Sequence, residues 1–211
     1  MMNPLVTIIT PTFQNQEAAG FQRMLASVQT QTYFNWQHIV CSDGGLEQNI
    51  AGLVGGDYRH QYTCTSKHFG GYGAGVRQEM MDRASGVLDG SGNQIELTKY
   101  FVFLDDDNIL LPDYLEKMVN ALESDKDKAF SICKILHFGP LRPDVGIAPM
   151  YLPGNPKVGE IDTLQVMVRA EAIRQVGWIK PEDYCSDGYT YEELAKRFNY
   201  VRVDECLGVH L

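Results

Sequence analysis

Strands and helices alternate along this 211-residue chain, and the alternation predicts an α/β fold: a mostly parallel central sheet with helices on both faces, joined by right-handed crossovers. Three observations carry the prediction. Short runs rich in aromatic and branched residues, VTIIT, WQHIVC and YFVFL, read as buried strands. Longer stretches of helical character separate them. Acidic residues stand just past two of the runs, Asp43 after the second and Asp105, Asp106 and Asp107 after the third, and open α/β sheets bind ligands outside the carboxyl ends of their strands. With 44% hydrophobic residues the chain can bury one substantial core, so one compact domain is expected.

In order along the chain, Val6 to Thr10 reads as a strand stopped by Pro11, and Ala18 to about Gln31 as a helix. Trp36 to Cys41 is the second strand, ending in the turn Ser42, Asp43, Gly44, Gly45. A weaker helix over Leu46 to Val54 and a short strand over Arg59 to Cys64 follow. The glycine-rich stretch HFGGYGAG then leads into a helix from about Tyr72 to Ala84, ahead of the strand Tyr100 to Leu104. Pro112 opens a helix running to Ser124, because proline suits a first helical turn, and Phe130 to Leu136 is another strand. His137 to Gly159 is rich in proline and glycine and reads as loop and hairpin. Helices over Arg169 to Val176 and Gly188 to Phe198 and a last strand near Tyr200 to Val203 complete the chain.

The formal net charge of −9 argues against a general nucleic-acid binder, which would carry a basic stripe. Any phosphate ligand must be met by a local cation. No apolar segment reaches membrane-spanning length. The five cysteines are odd in number, widely spaced and without a CxxC pair, which indicates neither a disulfide framework nor a zinc site. Reduced thiols and a cytoplasmic location are expected.

Three clustered carboxylates repel one another, so ionisation at Asp105, Asp106 and Asp107 is costly unless a cation compensates. Oxygen-rich clusters of this kind suit Mg or Mn, while a solvated loop or a helix cap accounts for them equally well at this level. Asp43 has two readings, a turn residue before glycine or a carboxylate accepting a hydrogen bond from a base N–H, with Pro11 and Thr12 lining the same pocket. HFGGYGAG fits neither the dinucleotide fingerprint nor the P-loop. Arg77, just inside the next helix, offers a planar donor fork to a diphosphate or else a surface ion pair. Glu192 and Glu193, followed by Lys196 and Arg197, read as a solvated helix face with i,i+4 pairs. Asp187, ahead of that helix, is either an N-cap or a base. His210 is a candidate metal ligand alongside the acid cluster.

Taken together, these segments resemble the inverting nucleotide-sugar glycosyltransferases of the GT-A fold, family 2, over nearly the whole chain. VTIITPTFQNQ resembles the family's first strand and base-binding turn, and SVQTQTYFNWQHIVCSDGG its second βα unit. RQEMMDRASG is similar to a helix pattern carried here by Arg77, Ala84 and Gly86, and FVFLDDDNILLPDYLEKMV to the segment bearing the Asp-x-Asp motif. GEIDTLQVMVRAEAIRQVGWIKPEDYCSD resembles the acceptor-side half, with Ser186 and Asp187 where the family has Glu-Asp. Two more departures are Ser42 to Gly45 in place of Asp-Asp-Gly-Ser, and His68 where Asn is usual.

The resemblance implies a nucleotide-sugar-binding half over about residues 1–108 and an acceptor-binding half over about 109–211, within one domain that would fit a longer polypeptide. It implies a UDP-sugar donor, a Mn or Mg cofactor and a glycan or glycoprotein acceptor. Asp43 would read the base, Asp105 and Asp106 would contact the nucleotide, and Asp107 and His210 would ligate the metal. Arg77 would stabilise the departing diphosphate, Asp187 would take the acceptor proton, and Trp178 and Asp162 would lie near a sugar ring. A looser likeness to the glycosyltransferase domain of a chlorovirus capsid-glycosylation protein would place the chain in host-cell cytoplasm and leaves rhamnose beside a hexose such as glucose as donor sugar. A nucleotidyltransferase fits less well, because VTIITPTFQNQ lacks the basic residues that would hold a triphosphate. A non-catalytic sugar-nucleotide-binding module on the same fold is the remaining alternative.

Overall fold

A computed structural model describes residues 5–13, 18–84, 86–88, 94–138 and 150–211. The first half reads β1 (Leu5–Thr12), α1 (Ala18–Gln29), β2 (Trp36–Ser42), α2 (Gln48–Val54), β3 (His60–Cys64), α3 (Ala74–Arg83), β4 (Gly86–Leu88) and β5 (Gln94–Phe103). The second reads β6 (Ile109–Leu110), α4 (Tyr114–Ser124), β7 (Lys128–His137), β8 (Met150–Leu152), β9 (Val166–Arg169), α5 (Ala170–Val176), α6 (Ser186–Arg197) and β10 (Asn199–His210). The strands form one sheet in the order β3-β2-β1-β5-β9-β7-β10-β6, with β4 added to β5 and β8 to β7. Pairings β2/β3, β1/β2, β1/β5 and β7/β10 are parallel, and β9 runs antiparallel between β5 and β7.

Side-chain alternation along the strands builds a core on each face of the sheet. Tyr100, Val102 and Leu104 point into one cluster with Phe21 and Met24 of α1, Ile50 of α2 and Leu115 and Met118 of α4. Phe101 and Phe103 point into the other, with Val76 and Met80 of α3, Ile173 of α5 and Tyr191 and Leu194 of α6. The predicted α/β class with helices on both faces is therefore what the chain forms. Arg169 fastens β9 to the end of α4: its buried guanidinium donates to the carbonyls of Leu122 (2.6 Å) and Lys128 (2.7 Å) and to the Tyr100 hydroxyl (3.1 Å). The Leu122 carbonyl lies in the last turn of α4, where it has no partner further along the helix, so a cation there satisfies it.

Several boundaries differ from expectation. β1 continues through Pro11 to Thr12, because its pairing with β5 ends at Ile9 opposite Phe103 while pairing with β2 runs on to Thr12 opposite Ser42. Pro11 thus sits where the strand has one neighbour, a place that tolerates a missing N–H. β9 was not foreseen, since VMVR is four residues long and abuts a helix. β10 is three times the expected strand, its far half masked by Arg202, Asp204 and Glu205. Within the expected loop and hairpin over His137 to Gly159, β8 pairs antiparallel with the end of β7, and residues 139–149 lie outside the described residues.

The consequence of this topology is one rim. Thr12, Asp43 and the Asp105–Asp107 turn follow the ends of parallel neighbours β1, β2 and β5, and His137 and His210 lie opposite each other at the ends of β7 and β10. No helix among the described residues is long and apolar enough to cross a membrane.

Candidate active site

A cleft of about 520 Å³ opens along this rim, lined by Pro11, Thr12 and Phe13, the glycine turn and the acid triplet. A smaller cavity of about 100 Å³ adjoins it and reaches Asp162, Thr163 and Asp187. Tyr72, Asp105, Tyr184 and His210 line both, so they form the passage between the two spaces.

The three acids have different partners. Asp105 forms an ion pair with Arg77. Asp106 accepts a hydrogen bond of 2.7 Å from the Thr12 hydroxyl. Asp107 is pushed up to about 6 by burial and then by the charges of Asp105 and Asp106, which His210 only partly offsets. Behind the turn, buried Asn108 accepts from the Leu211 N–H (3.2 Å) and lies 3.4 Å from His210 Nδ1, holding the end of β10 against the triplet.

Arg77 is buried in the first turns of α3. Besides Asp105 it donates to the Tyr72 carbonyl at 3.0 Å, and its guanidinium lies 5.2 Å from the Trp178 ring centroid. Its Nε has no hydrogen-bond partner among the described residues. Trp178, expected near a sugar, is 8% exposed and packs edge-on to Phe103 at 5.0 Å. It lies under Arg77 in the core rather than among the residues lining either cavity. Tyr72 and Tyr184 are the aromatic residues at the passage, and the sequence reading missed both. The signal for Tyr72 was its place inside a run of glycines.

That run is a left-handed turn, with φ of 66° at Gly70, 59° at Gly71, 55° at Tyr72 and 80° at Gly73. Asp43 holds it in place. Its carboxylate accepts backbone N–H groups of Phe69 and Gly70, each at 2.7 Å, and pairs with His68 Nδ1 at 3.1 Å. The turn role considered for Asp43 is thus the one its hydrogen bonds display, while the residue also lines the cleft beside Pro11 and Thr12.

Asp187 lies in the first turn of α6, whose N-cap is Cys185, so the helix begins earlier than expected and Asp187 is inside it. It accepts from the Gly188 N–H (2.7 Å) and the Thr163 hydroxyl (3.3 Å). Burial, and next the charge of Asp162, lift its carboxyl to about 7, against the pull of that N–H and of Arg77. Asp162 caps the turn Thr163–Gln165 and pairs with His210 Nδ1 at 2.9 Å. Burial works against both partners, yet their pairing holds Asp162 below its usual range and lifts His210 to about 9. The His137 and His210 rings stack 4.1 Å apart. His137, Asp162 and His210 are the three-residue group among the described residues whose ligand atoms lie within 4.8 Å of one another. Of the two expected metal ligands, His210 belongs to that group and Asp107 does not, although both line the larger cleft.

Elsewhere the simpler readings hold. Glu192 pairs with Lys196 and Glu193 with Arg197 on the outer face of α6, and all five cysteines are free thiols.

Comparison with known proteins agrees with this architecture. The first 349 residues of S. aureus TarS superpose with a TM-score of 0.71 at 12% identity, covering 97% of this chain and 60% of that one. The same protein in complex with UDP-GlcNAc matches with a TM-score of 0.71 at 11% identity, covering 97% and 57%. The mannosyltransferase PcManGT from Pyrobaculum calidifontis, in complex with GDP-Man and Mn2+, gives 0.67 at 14% identity, covering 99% and 57%. The chain therefore spans about three fifths of these three solved chains. No curated protein matches it by sequence. The family model for glycosyl transferase family 2 matches residues 7–146, about two thirds of the chain, and with a GT-A-like sheet and an acid-lined cleft at its rim, this protein belongs to that family.

Proposed function

We propose that the chain is an inverting glycosyltransferase that moves a sugar from UDP to an acceptor hydroxyl of a glycan or glycoprotein, with a hexose such as glucose or a deoxyhexose such as rhamnose as the transferred group. The observation that carries this reading is the placement of Asp187. A half-buried carboxylate lifted to about 7 stands in a small cavity beside Arg77, and Asp105, the ion-pair partner of Arg77, lines both that cavity and the larger cleft. A direct displacement needs a base on the far side of the anomeric carbon from its leaving group, and the two adjoining spaces supply that separation. The acceptor O–H gives its proton to Asp187, its oxygen bonds the anomeric carbon, and the bond from that carbon to the diphosphate breaks to release UDP.

Nucleotide recognition is assigned to Pro11, Thr12 and Asp43 at the base end, to Arg77 at the phosphates, and to Asp105 and Asp106 between them, with Asp105 holding the ribose or helping to position the metal. Arg77 offers its charge at low exposure, where an electrostatic contact is strongest. Asp107 and His210 would hold Mn or Mg, with Asp162 behind His210 and close to the sugar. The donor set suits such an ion: a carboxylate burdened by two like charges and an imidazole line one cleft. A bound metal would supply Lewis-acid stabilisation of the diphosphate leaving group. TarS with UDP-GlcNAc and PcManGT with GDP-Man and Mn2+ support a nucleotide-sugar donor and a divalent ion. Free thiols throughout suit a reducing, cytoplasmic compartment.

Thermal-shift measurements with UDP, GDP and their sugars, with and without Mn, test the assignment. A metal-dependent rise with UDP or a UDP-sugar is expected, and no response to any nucleotide overturns it. Asp187→Asn should lower transfer at least 100-fold while UDP binding persists. Unchanged transfer would remove Asp187 from the mechanism, and an absence of transfer by the unaltered chain would favour a binding module.

A further inference from the structure

Tyr72 and Tyr184 are assigned no part in the reading above, yet they line both cavities. Their rings meet edge to face at 5.1 Å and 84°, and they are 66% and 55% exposed, respectively. Large aromatic side chains so exposed lose the benefit of burial unless a ligand covers them.

The backbone is shaped to keep Tyr72 there. A non-glycine residue at φ 55° is unfavourable, and Tyr72 is surrounded by glycines that share the same left-handed turn. Two of them admit nothing larger: a Cβ on Gly71 would lie 2.5 Å from the Pro181 carbonyl, and one on Gly73 would lie 2.6 Å from the Pro11 ring. The Pro181–Tyr184 segment is thereby pressed onto the turn, which brings Tyr184 to Tyr72. The carbonyl of Tyr72 also accepts from Arg77, so the turn is tied to the phosphate end of the site.

We infer that Tyr72 and Tyr184 form a stacking subsite for a pyranose ring of the acceptor, an assignment that rests on the transferase reading above. The C–H face of a pyranose is apolar and fits an aromatic face, while its hydroxyls stay solvated. The choice of acceptor over donor follows from position. In that reading Arg77, which is buried, meets the diphosphate, whereas the tyrosines face solvent and Tyr184 is three residues ahead of Asp187 on the segment leading into α6. A sugar entering from solvent meets this pair before its hydroxyl reaches the base.

Saturation-transfer NMR with methyl pyranosides of glucose, galactose, mannose and N-acetylglucosamine, recorded in the presence of UDP and Mn, tests the subsite without requiring turnover. For the unaltered protein, at least one pyranoside should show saturation concentrated on ring C–H protons. Tyr72→Gly, which keeps the left-handed turn, and Tyr184→Ala should each reduce that signal at least fivefold while the UDP signals persist. Pyranoside signals that survive both substitutions, or that appear with none of the four sugars, overturn the subsite alone. Loss of the UDP signals together with the sugar signals assigns the pair to the donor and overturns it as well. A chain that shows no UDP signal before any substitution overturns the transferase reading along with the subsite.

Discussion

Asp187 derives its proton affinity from its neighbours: burial and Asp162 push its pKa up, and the Gly188 N–H and Arg77 pull it down, leaving it at about 7. A base must be ionised to act, so kcat/KM for transfer should fall about tenfold per unit as pH drops below about 7, and level off above it. A pH profile of transfer that is flat from 5.5 to 8 would falsify the assignment. A second pair of ionisable groups acts on stability instead. His38 and His60 touch through their Nδ1 atoms at 2.9 Å, and burial lowers both from the ordinary 6.5, strongly for His38. The unfolded chain takes up protons near 6.5 that the folded chain refuses, so this contribution is complete above that pH and is lost as pH falls below it. Stability should decline by up to about 1.4 kcal/mol per pH unit for each histidine, and His38→Gln should flatten the decline seen by urea denaturation between pH 6.5 and 5.

The glycine turn shows how one element converts backbone geometry into a site. Gly73 combines φ 80° with a Pro11 ring in the space that a Cβ needs. Gly73→Ala should therefore cost about 1–3 kcal/mol, lowering Tm by a few degrees, and weaken UDP binding because the turn carries the Arg77 contact. Calorimetry and a UDP titration read the two effects separately, and an alanine that leaves both unchanged would show the turn to be adaptable. How far such elements could be read from sequence depended on their periodicity. YFVFL, WQHIVC and VTIIT announced themselves as strands because both of their faces are buried. VMVR did not, since four residues against a helix give no period to read. Asp105, Asp107 and Asp187 were singled out by likeness to family segments, and the structure places Asp105 and Asp107 at the larger cleft and Asp187 at the cavity beside it. Tyr72 was hidden in a run whose meaning lay in φ values rather than side chains, and Trp178 was expected near the sugar because a sequence does not show which side of Arg77 an indole occupies.

At the scale of the molecule, the division into a nucleotide half and an acceptor half does not follow the sheet. β9 comes from the second half, yet it lies between β5 and β7 and pairs with both. A fragment ending at about residue 108 would leave β5, with its Tyr100 and Phe101, as an open apolar edge. We expect that fragment to aggregate or stay unfolded, and the intact chain to unfold in one transition by circular dichroism. Two separated transitions would contradict this. The Arg77–Asp105 ion pair has its own consequence at this scale. The buried cation beside the smaller cavity is already neutralised by Asp105, which also lines the cleft, on a chain whose formal charge is −9. Viewed from a Debye length away, the cleft therefore repels a nucleotide diphosphate rather than steering it. Encounter with the donor should quicken as salt rises, or when the donor arrives already carrying its divalent counterion. On the transferase reading proposed above, the arginine would change partner only after contact, and its pairing would act as a filter on what enters rather than an attractor.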